Sequence, residues 1–221
     1  MSKKRKTYWL MALLGALLVF AVAFLALHLA KNKSEQNYNS ADIPEVGKVK
    51  GQASAPALLE VFSDFNCGHC AANAGEFEKT KLIPYLATGK LRLQYRHFLV
   101  GGIQSYVAAL AADCAARQGK FWPYHDELFA RFDPKRYLEY SEADVARFRD
   151  ELISLAAELG LDTTAFTNCL FAASTKEAVM ADHYRGEQLQ VNITPTYVLN
   201  GRKLSDEPEE IIAQIEKVVG H

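Results

Sequence analysis

Two cysteines separated by two residues constrain this chain more than any other feature. The motif Cys67-Gly68-His69-Cys70 follows an apolar run, Leu58 to Phe65, that predicts a buried strand, and it opens a predicted helix. Two thiols in this arrangement can close into a small disulfide or open into a dithiol. The free N–H groups of a first helical turn stabilise a thiolate, which is the form that attacks sulfur. The motif therefore predicts a site of thiol–disulfide exchange.

The N-terminal residues predict a membrane anchor. Tyr8 to Ala30 contains no Asp, Glu, Lys or Arg, and a helix of that length extends about 35 Å, enough to cross a hydrocarbon core of about 30 Å. The tail 1–7 is basic from Lys3 to Lys6, so it should stay cytoplasmic and leave the rest of the chain on the other side. A signal peptide cleaved after Ala21-Val22-Ala23 is the alternative. Apolar sequence up to Ala30 favours an uncleaved single-pass anchor, and both interpretations export the remaining domain.

The charge of the predicted exported part argues against one class of binding partner. The chain has 25 basic and 26 acidic residues, and residues 1–33 hold six of the basic ones and no acid. The rest therefore has 19 basic residues (25 less 6) against 26 acidic ones. A mildly acidic domain does not indicate nucleic acid as a partner. Residues 31–50 are polar and are predicted to be a linker.

Beyond the linker, the order of predicted elements indicates an α/β fold. Residues 51–100 predict strand, helix and strand, and a crossover of this length makes the two strands parallel. Residues 101–190 are predicted to be all helical, and residues 191–221 predict two strands joined by a hairpin at Asn200-Gly201 and a last helix. The helix starts that we predict in the middle segment lie near Ser105, Phe121, Ser141 (with Asp144), Asp162 and Ser174 (with Glu177).

The remaining cysteines predict a second disulfide. An even number of cysteines in an exported chain favours disulfides, and if Cys67 pairs with Cys70, then Cys114 can pair only with Cys169. Both lie among apolar helix positions, so two buried free thiols are the alternative. A zinc site would need a second closely spaced pair of ligands, and covalent haem attachment would need His where Ala71 stands. We therefore expect no metal and no small-molecule cofactor.

Three separated stretches carry a further signal. In chain order they are Phe62-Ser63-Asp64-Phe65-Asn66-Cys67-Gly68-His69-Cys70, Gln118-Gly119-Lys120-Phe121-Trp122 followed by His125-Asp126, and Thr194-Pro195-Thr196 followed by Asn200-Gly201. Together they resemble the DsbA-like branch of the thiol–disulfide oxidoreductases, and the resemblance covers about Pro56 to Val219. It predicts a thioredoxin-like core (βαβ…ββα) with an all-helical insertion, preceded here by one transmembrane helix.

The resemblance implies a role for each residue of the site. Cys67 would be the exposed nucleophile and Cys70 the resolving thiol, with Gly68-His69, a pair like that of protein disulfide isomerase, tuning Cys67. Thr194 would offer backbone groups to an extended substrate peptide, and Pro195 would be a cis proline beside the thiols. The implied partners are exported proteins that contain cysteine and an integral membrane oxidase linked to quinone.

Three positions depart from the family pattern. Many relatives carry a glutamate six residues before the first cysteine, where this chain has Val61. Glu60 is displaced by one position and, by strand alternation, should face the other side of the sheet. A buried acid at that place is therefore not expected to handle protons here. Leu99 and Ile193 replace a frequent proline and a common glycine, and neither change removes a group that exchange requires.

These observations predict a membrane-anchored, extracytoplasmic thiol–disulfide oxidoreductase that forms or rearranges disulfides in exported proteins. A reductase or isomerase kept reduced by a membrane electron carrier is the second hypothesis. The third is a non-catalytic metal-binding chaperone that uses the thiols of Cys67 and Cys70 as ligands.

Overall fold

The computed structural model describes residues 17–24, 38–131 and 141–220. The chain divides into two units, residues 1–38 and 39–221. In the first unit, residues 17–24 are helical, and the rest of the predicted span Tyr8 to Ala30 lies outside the described residues, as does the basic tail 1–7. None of the helices described has both the length and the apolar character needed to cross a membrane.

Within the described residues of the second unit, six strands form one sheet in the spatial order β1-β2-β4-β3-β5-β6. The predicted parallel pair is confirmed, since β3 and β4 run in the same direction and the other neighbouring strands are antiparallel. β3 is buried almost throughout because it lies between β4 and β5 with helices on both faces. The strands are β1 (Glu45–Val46), β2 (Val49–Gly51), β3 (Ala57–Ser63), β4 (Leu91–His97), β5 (Thr196–Leu199) and β6 (Arg202–Lys203).

Two of these strands correct the predicted linker. We expected residues 31–50 to connect anchor and domain, but Glu45–Val46 and Val49–Gly51 form a hairpin that pairs with β4 at the sheet edge. Short polar edge strands carry little periodic signal, because only their backbone groups need partners. The domain therefore begins earlier in the chain than its apolar pattern indicates.

The crossover between β3 and β4 contains the helix that follows Cys67. The helix α1 (Gly68–Asn73) continues directly into a π-helix (Ala74–Lys81), and α2 (Ile83–Ala87) follows. We predicted a single helix over this stretch, and the wider π-helical turns replace its second half. Pro84 lies in the first turn of α2, where its missing N–H leaves no hydrogen bond unmade.

The predicted helical insertion between β4 and β5 is confirmed. A capping box at Ser141 and Asp144 starts one helix, and the side chain of Asp162 caps the next. Ser174 is not a cap as predicted, since its helix begins one residue earlier with Ala172 as N-cap. The helices are α3 (Ile103–Arg117), α4 (Phe121–Ala130), α5 (Glu142–Glu158), α6 (Thr163–Phe171) and α7 (Ala173–Gln188).

The last elements complete the predicted βαβ…ββα order. Asn200 and Gly201, at φ 48° and 82°, form the tight turn between β5 and β6. The final helix, α8 (Pro208–Val219), buries Ile211 and Ile215 on one side. The fold is thus a thioredoxin-like core with a helical insertion.

A network of charges joins the insertion to the sheet. Lys48 binds Asp113 of α3 at 2.9 Å and Asp182 of α7 at 2.6 Å. Arg96 of β4 binds Asp182 at 2.8 Å and Glu60 of β3 at 2.9 Å. The carboxylates are almost fully buried, so each depends on these partners. The network fixes α3 and α7 against the sheet, and we name it the charge clamp.

A disulfide joins two helices of the insertion. Cys114 of α3 and Cys169 of α6 are bonded, with an S–S distance of 2.07 Å and Cα atoms 5.7 Å apart. Cys114 is 1% exposed and lies in the alanine-rich part of α3 that packs into the core. The bond closes a loop that includes α4 and α5.

Candidate active site

Cys67 is held at the start of α1 by the turn that precedes it. It is the N-cap residue, its backbone is extended, and its carbonyl accepts the first helical hydrogen bond from the N–H of Ala71 at 3.1 Å. The carboxylate of Asp64 accepts hydrogen bonds from the backbone N–H groups of Asn66, Val100 and Gly101. Asp64 thereby ties the turn before Cys67 to the loop after β4, which fixes the position of the thiol.

The surroundings of Cys67 favour its thiolate. A hydrogen bond from the Cys70 thiol is the main cause that lowers the pKa of Cys67 to about 5, with help from Thr194 and from the backbone N–H groups of Cys70 and His69. In its protonated form the Cys67 thiol instead donates to the carbonyl oxygen of Thr194 at 3.4 Å. Cys67 is half-buried, so the thiolate is both formed and reachable at neutral pH.

Cys70 has the opposite character. It is 2% exposed, and burial raises the pKa of its thiol far above the ordinary value, to which the hydrogen bond given to Cys67 adds. The side chain of Ser63, at the end of β3, acts in the other direction as a hydrogen-bond partner of the Cys70 sulfur. The pair therefore consists of one accessible thiolate and one protonated thiol behind it, an arrangement suited to capture and release of a sulfur partner.

The loop before β5 lies beside the thiols. The peptide bond Thr194–Pro195 is cis, and its residues line a groove of about 610 Å³ together with His69 of α1. Ile193 and Val100, 56% and 51% exposed, add apolar surface to the two sides of this region. The structure therefore brings Cys67, Cys70, His69, Thr194 and Pro195 together, as the sequence predicts, next to a surface open to another chain.

His69 lies in the groove beside the thiols. Its backbone N–H contributes to the lowered pKa of Cys67, and its side chain is exposed and lines the groove. The predicted effect of the imidazole on Cys67 stays a prediction.

Glu60 and Val61 lie as strand alternation predicts. Val61 faces the main core, whereas Glu60 faces α7 on the other side of the sheet and binds Arg185 at 2.7 Å and Arg96 at 2.9 Å. Burial alone would raise the pKa of Glu60, but the hydrogen bonds and charges of these two arginines hold it below its ordinary value. Glu60 is a structural ion-pair partner and is remote from proton exchange at the thiols.

Sequence reasoning missed Ser63 and Asp64 as members of the site. Both lie within the stretch that carries the resemblance, but the partners of Asp64 include the N–H groups of Val100 and Gly101, and the partner of Ser63 is the Cys70 sulfur. Among the residues that the structure describes, no group of three or more His, Cys, Asp or Glu is arranged to hold a metal ion.

Comparison with known proteins identifies the family and the fold of the chain. The family model described as thioredoxin matches residues 45–217. The fold is similar to BdbD from Bacillus subtilis in its oxidised form, with a TM-score of 0.69 and 20% identity over 79% of this chain and 94% of that one. It is also similar to alpha-DsbA1 from Wolbachia pipientis, with a TM-score of 0.67 and 21% identity over 83% of this chain and 96% of that one.

A sequence relative has a different name. The Na(+)/H(+) antiporter NhaA of Herminiimonas arsenicoxydans is 32% identical over 161 residues, which are 73% of this chain and 23% of that protein. The chain thus spans less than a quarter of the relative it matches. The match to the family model covers most of the chain, and the chain therefore belongs to the thioredoxin family.

Proposed function

We propose that this protein is a thiol–disulfide oxidoreductase that forms or rearranges disulfide bonds in exported proteins. The observation that carries the proposal is the contrast within one helical turn between an accessible Cys67 thiolate, with a pKa of about 5, and a buried, protonated Cys70. The solved structures to which the fold is similar include proteins described as DsbA and as protein-disulfide isomerase. The antiporter name carries no proposal for this chain, because the matched segment is a small part of that protein.

The oxidising reaction proceeds in two exchanges. A thiolate of the substrate attacks the sulfur of Cys67 in the Cys67–Cys70 disulfide, forms a mixed disulfide, and releases Cys70 with the bonding electron pair. A second substrate thiolate then attacks the substrate sulfur of the mixed disulfide and releases Cys67. The substrate leaves with a new disulfide, two electrons remain on the enzyme dithiol, and no small-molecule cofactor takes part in these steps.

The low pKa of Cys67 favours the oxidising direction. Whatever stabilises the thiolate stabilises the reduced protein, so it makes the disulfide a stronger oxidant. We expect a reduction potential near that of protein disulfide isomerase, about −180 mV. Redox titration against glutathione measures it, and a value near about −270 mV would instead indicate a reductase.

A trapping experiment tests the proposed chemistry. In a Cys70→Ala variant the Cys67 thiolate still attacks a disulfide of a substrate, and the enzyme cannot resolve the mixed disulfide that forms, so complexes with proteins that carry scrambled disulfides should accumulate. These complexes should disappear on addition of dithiothreitol and be absent in a Cys67→Ser, Cys70→Ala double variant. Failure of the single variant to form any complex would contradict the proposal.

The redox state in the cell separates the oxidase from the alternatives. Rapid alkylation of Cys67 and Cys70 after acid quenching should find them oxidised in an oxidase and reduced in an isomerase or reductase. Metal analysis of the purified protein tests the metal-binding chaperone, which would retain a stoichiometric ion on the two thiols.

We also propose that Tyr8 to Ala30 anchors the protein in a membrane, with the catalytic domain on the extracytoplasmic side and a quinone-linked membrane oxidase as its electron acceptor. The apolar run and the basic tail before it support the anchor. The Cys114–Cys169 disulfide is typical of an oxidising compartment. Cell fractionation combined with protease protection of the domain tests both statements.

A further inference from the structure

The groove beside the thiols has apolar walls and one carboxylate. Four of its lining residues are apolar, namely Val100, Ile193, Pro195 and Pro208. Asp206, in the turn between β6 and α8, is the single acid among the described residues that line it, and no lysine or arginine is among them. Within the described part of the chain, the groove therefore presents a negative charge and no permanent positive one.

The groove is joined to the reacting sulfur through Thr194. The Cys67 sulfur lies 3.4 Å from the carbonyl oxygen of Thr194, and Thr194 lines the groove. A substrate cysteine that bonds to Cys67 must bring its sulfur to about 2.05 Å from the Cys67 sulfur. An extended chain advances about 3.3 Å per residue. The substrate residues within about three positions of that cysteine therefore reach the groove.

Two of the apolar side chains stand on backbone that is already fixed. The N–H of Val100 donates to the Asp64 carboxylate at 2.6 Å, and the carbonyl oxygen of Ile193 accepts a hydrogen bond from the Thr196 hydroxyl at 2.7 Å. The side chains of Val100 and Ile193 are nevertheless more than half exposed. Apolar side chains held beside one groove in this way favour burial by a partner, because contact removes their surface from water.

The Asp206 carboxylate is free to bind a cation. Its side chain is exposed, and it makes no hydrogen bond or ion pair with another residue that the structure describes. Residues 207–210 add three acids and no base. The ammonium group of Lys203 in β6 is bound to the carbonyl oxygen of Gln190 at 2.8 Å. A cationic side chain of a substrate would therefore complement this end of the groove.

We propose that the groove selects substrate segments in which an apolar residue stands next to the cysteine and a lysine or arginine lies within about three positions of it. The apolar side chain packs on Ile193 and Val100, and the cation pairs with Asp206. The inference rests on the proposed function and names the class of substrate that the site takes. Ion pairs at exposed positions are weak, so the selectivity is several-fold and falls with added salt.

The first test compares charges in the substrate. Reduced two-cysteine peptides carry Lys, Gln or Glu at one position, which is moved through the three positions on either side of one cysteine, and the oxidised full-length protein oxidises them. Each rate is divided by the rate of the same peptide with bis(2-hydroxyethyl) disulfide, an uncharged oxidant, which removes the effect of the charge on the peptide thiol. At the best position we expect Lys to exceed Glu by about fivefold at low salt, and by much less at about 1 M salt.

Two neighbouring acids show which residue is responsible. Asp206→Asn removes the charge and keeps the shape of the side chain, so the ratio of Lys to Glu should fall close to one. Glu207→Gln is the matched control, because Glu207 is also exposed but is not among the described residues that line the groove, and it should keep most of the preference. Equal rates for Lys and Glu at every position in the parent, a preference that Asp206→Asn retains, or an equal loss in Glu207→Gln would overturn the role of Asp206.

The second test concerns the apolar wall. Peptides with Leu beside the cysteine should be oxidised about fivefold faster than those with Ser, and Ile193→Ala should remove most of this difference. Val46→Ala, at an exposed position of β1, is the control and should leave it unchanged. A Leu preference that is absent in the parent, or unchanged in Ile193→Ala, would overturn the apolar contact. A parent that oxidises none of the peptides would instead overturn the proposed function, and the substrate class with it.

Discussion

The two cysteine pairs of this chain show how position decides what a sulfur does. Cys67 and Cys70 lie at the start of a helix, one half-buried and one buried, with backbone N–H groups directed at the first. Cys114 and Cys169 come from two packed helices of the insertion and are bonded to each other. The first pair has hydrogen-bond donors that stabilise a charge, whereas Cys114 is 1% exposed and lies in the alanine-rich helix α3. We infer that the first pair is reactive and the second is structural.

The largest difference between the pairs should appear in activity. Cys67→Ser removes the sulfur that a substrate thiolate attacks, so no mixed disulfide can form, and we expect exchange with a reduced protein substrate to fall by at least about 1,000-fold. The double variant Cys114→Ala, Cys169→Ala should keep the parent activity at a temperature where it remains folded. Oxidation of an unfolded substrate, followed by mass measurement of its thiols, checks both. A double variant that is folded but inactive would contradict a purely structural role of the Cys114–Cys169 bond.

For stability we expect the opposite order, with the larger effect from the Cys114–Cys169 pair. Loss of the Cys114–Cys169 bond, which spans a sequence separation of 55 residues, should lower the free energy of unfolding by about 4 kcal/mol on the chain-entropy model. The Cys67–Cys70 bond would close only a very short loop, so its loss should have a much smaller entropic effect on the unfolded chain. Denaturant unfolding of the double variant beside a Cys67→Ser, Cys70→Ser variant measures the contrast. Equal losses in the two variants would show that the pairs are not distinguished in this way.

The acidity of the Cys67 thiol is the next property that sets the first pair apart. Thiolate absorbance of the reduced protein should rise with a midpoint at about pH 5, assigned to Cys67. In Thr194→Val the midpoint should lie higher, because the thiolate loses a hydrogen bond, whereas Thr80→Val, at an exposed helix position, should leave it unchanged. A parent midpoint near the ordinary cysteine value of about 8.5 would contradict the described geometry.

The last difference is in the pH dependence of stability. The pKa of Cys67 in the folded protein, about 5, is far below the ordinary cysteine value of about 8.5 that applies in the unfolded chain. The unfolded chain therefore binds more protons between these values, so this group's contribution rises with pH across that window and is lost as the pH falls through about 5. Unfolding of the reduced parent at pH 5 and pH 8 should show a larger gain than Cys67→Ser does. An equal gain in both proteins would contradict the assignment.

The local parts of the fold were predictable, and the contacts between distant residues were not. The capping box at Ser141 and the turn at Asn200-Gly201 were read correctly because each depends on neighbours in the chain. The edge hairpin at Glu45–Gly51 was missed because its strands are short and polar. The start of α7 was misplaced because Ala172 begins the helix without a side-chain cap.

The site divides in the same way. Cys67 and Cys70 could be named from their spacing at a predicted helix start, and Thr194 and Pro195 from the resemblance to a known family. Ser63 and Asp64 could not, because their partners, the Cys70 sulfur and the backbone N–H groups after β4, come close only in the folded chain.

The charge clamp has a consequence for how the domain binds a substrate polypeptide. Movement of α3 or α7 along the sheet would break the ion pairs that Lys48 and Arg96 make with buried carboxylates. Each buried ion left without a partner would cost several kcal/mol. The charge clamp therefore holds α3 and α7 rigidly on the sheet. If the protein exchanges disulfides as we propose, an incoming polypeptide has to adapt its shape to this rigid domain, which an unfolded chain does most easily.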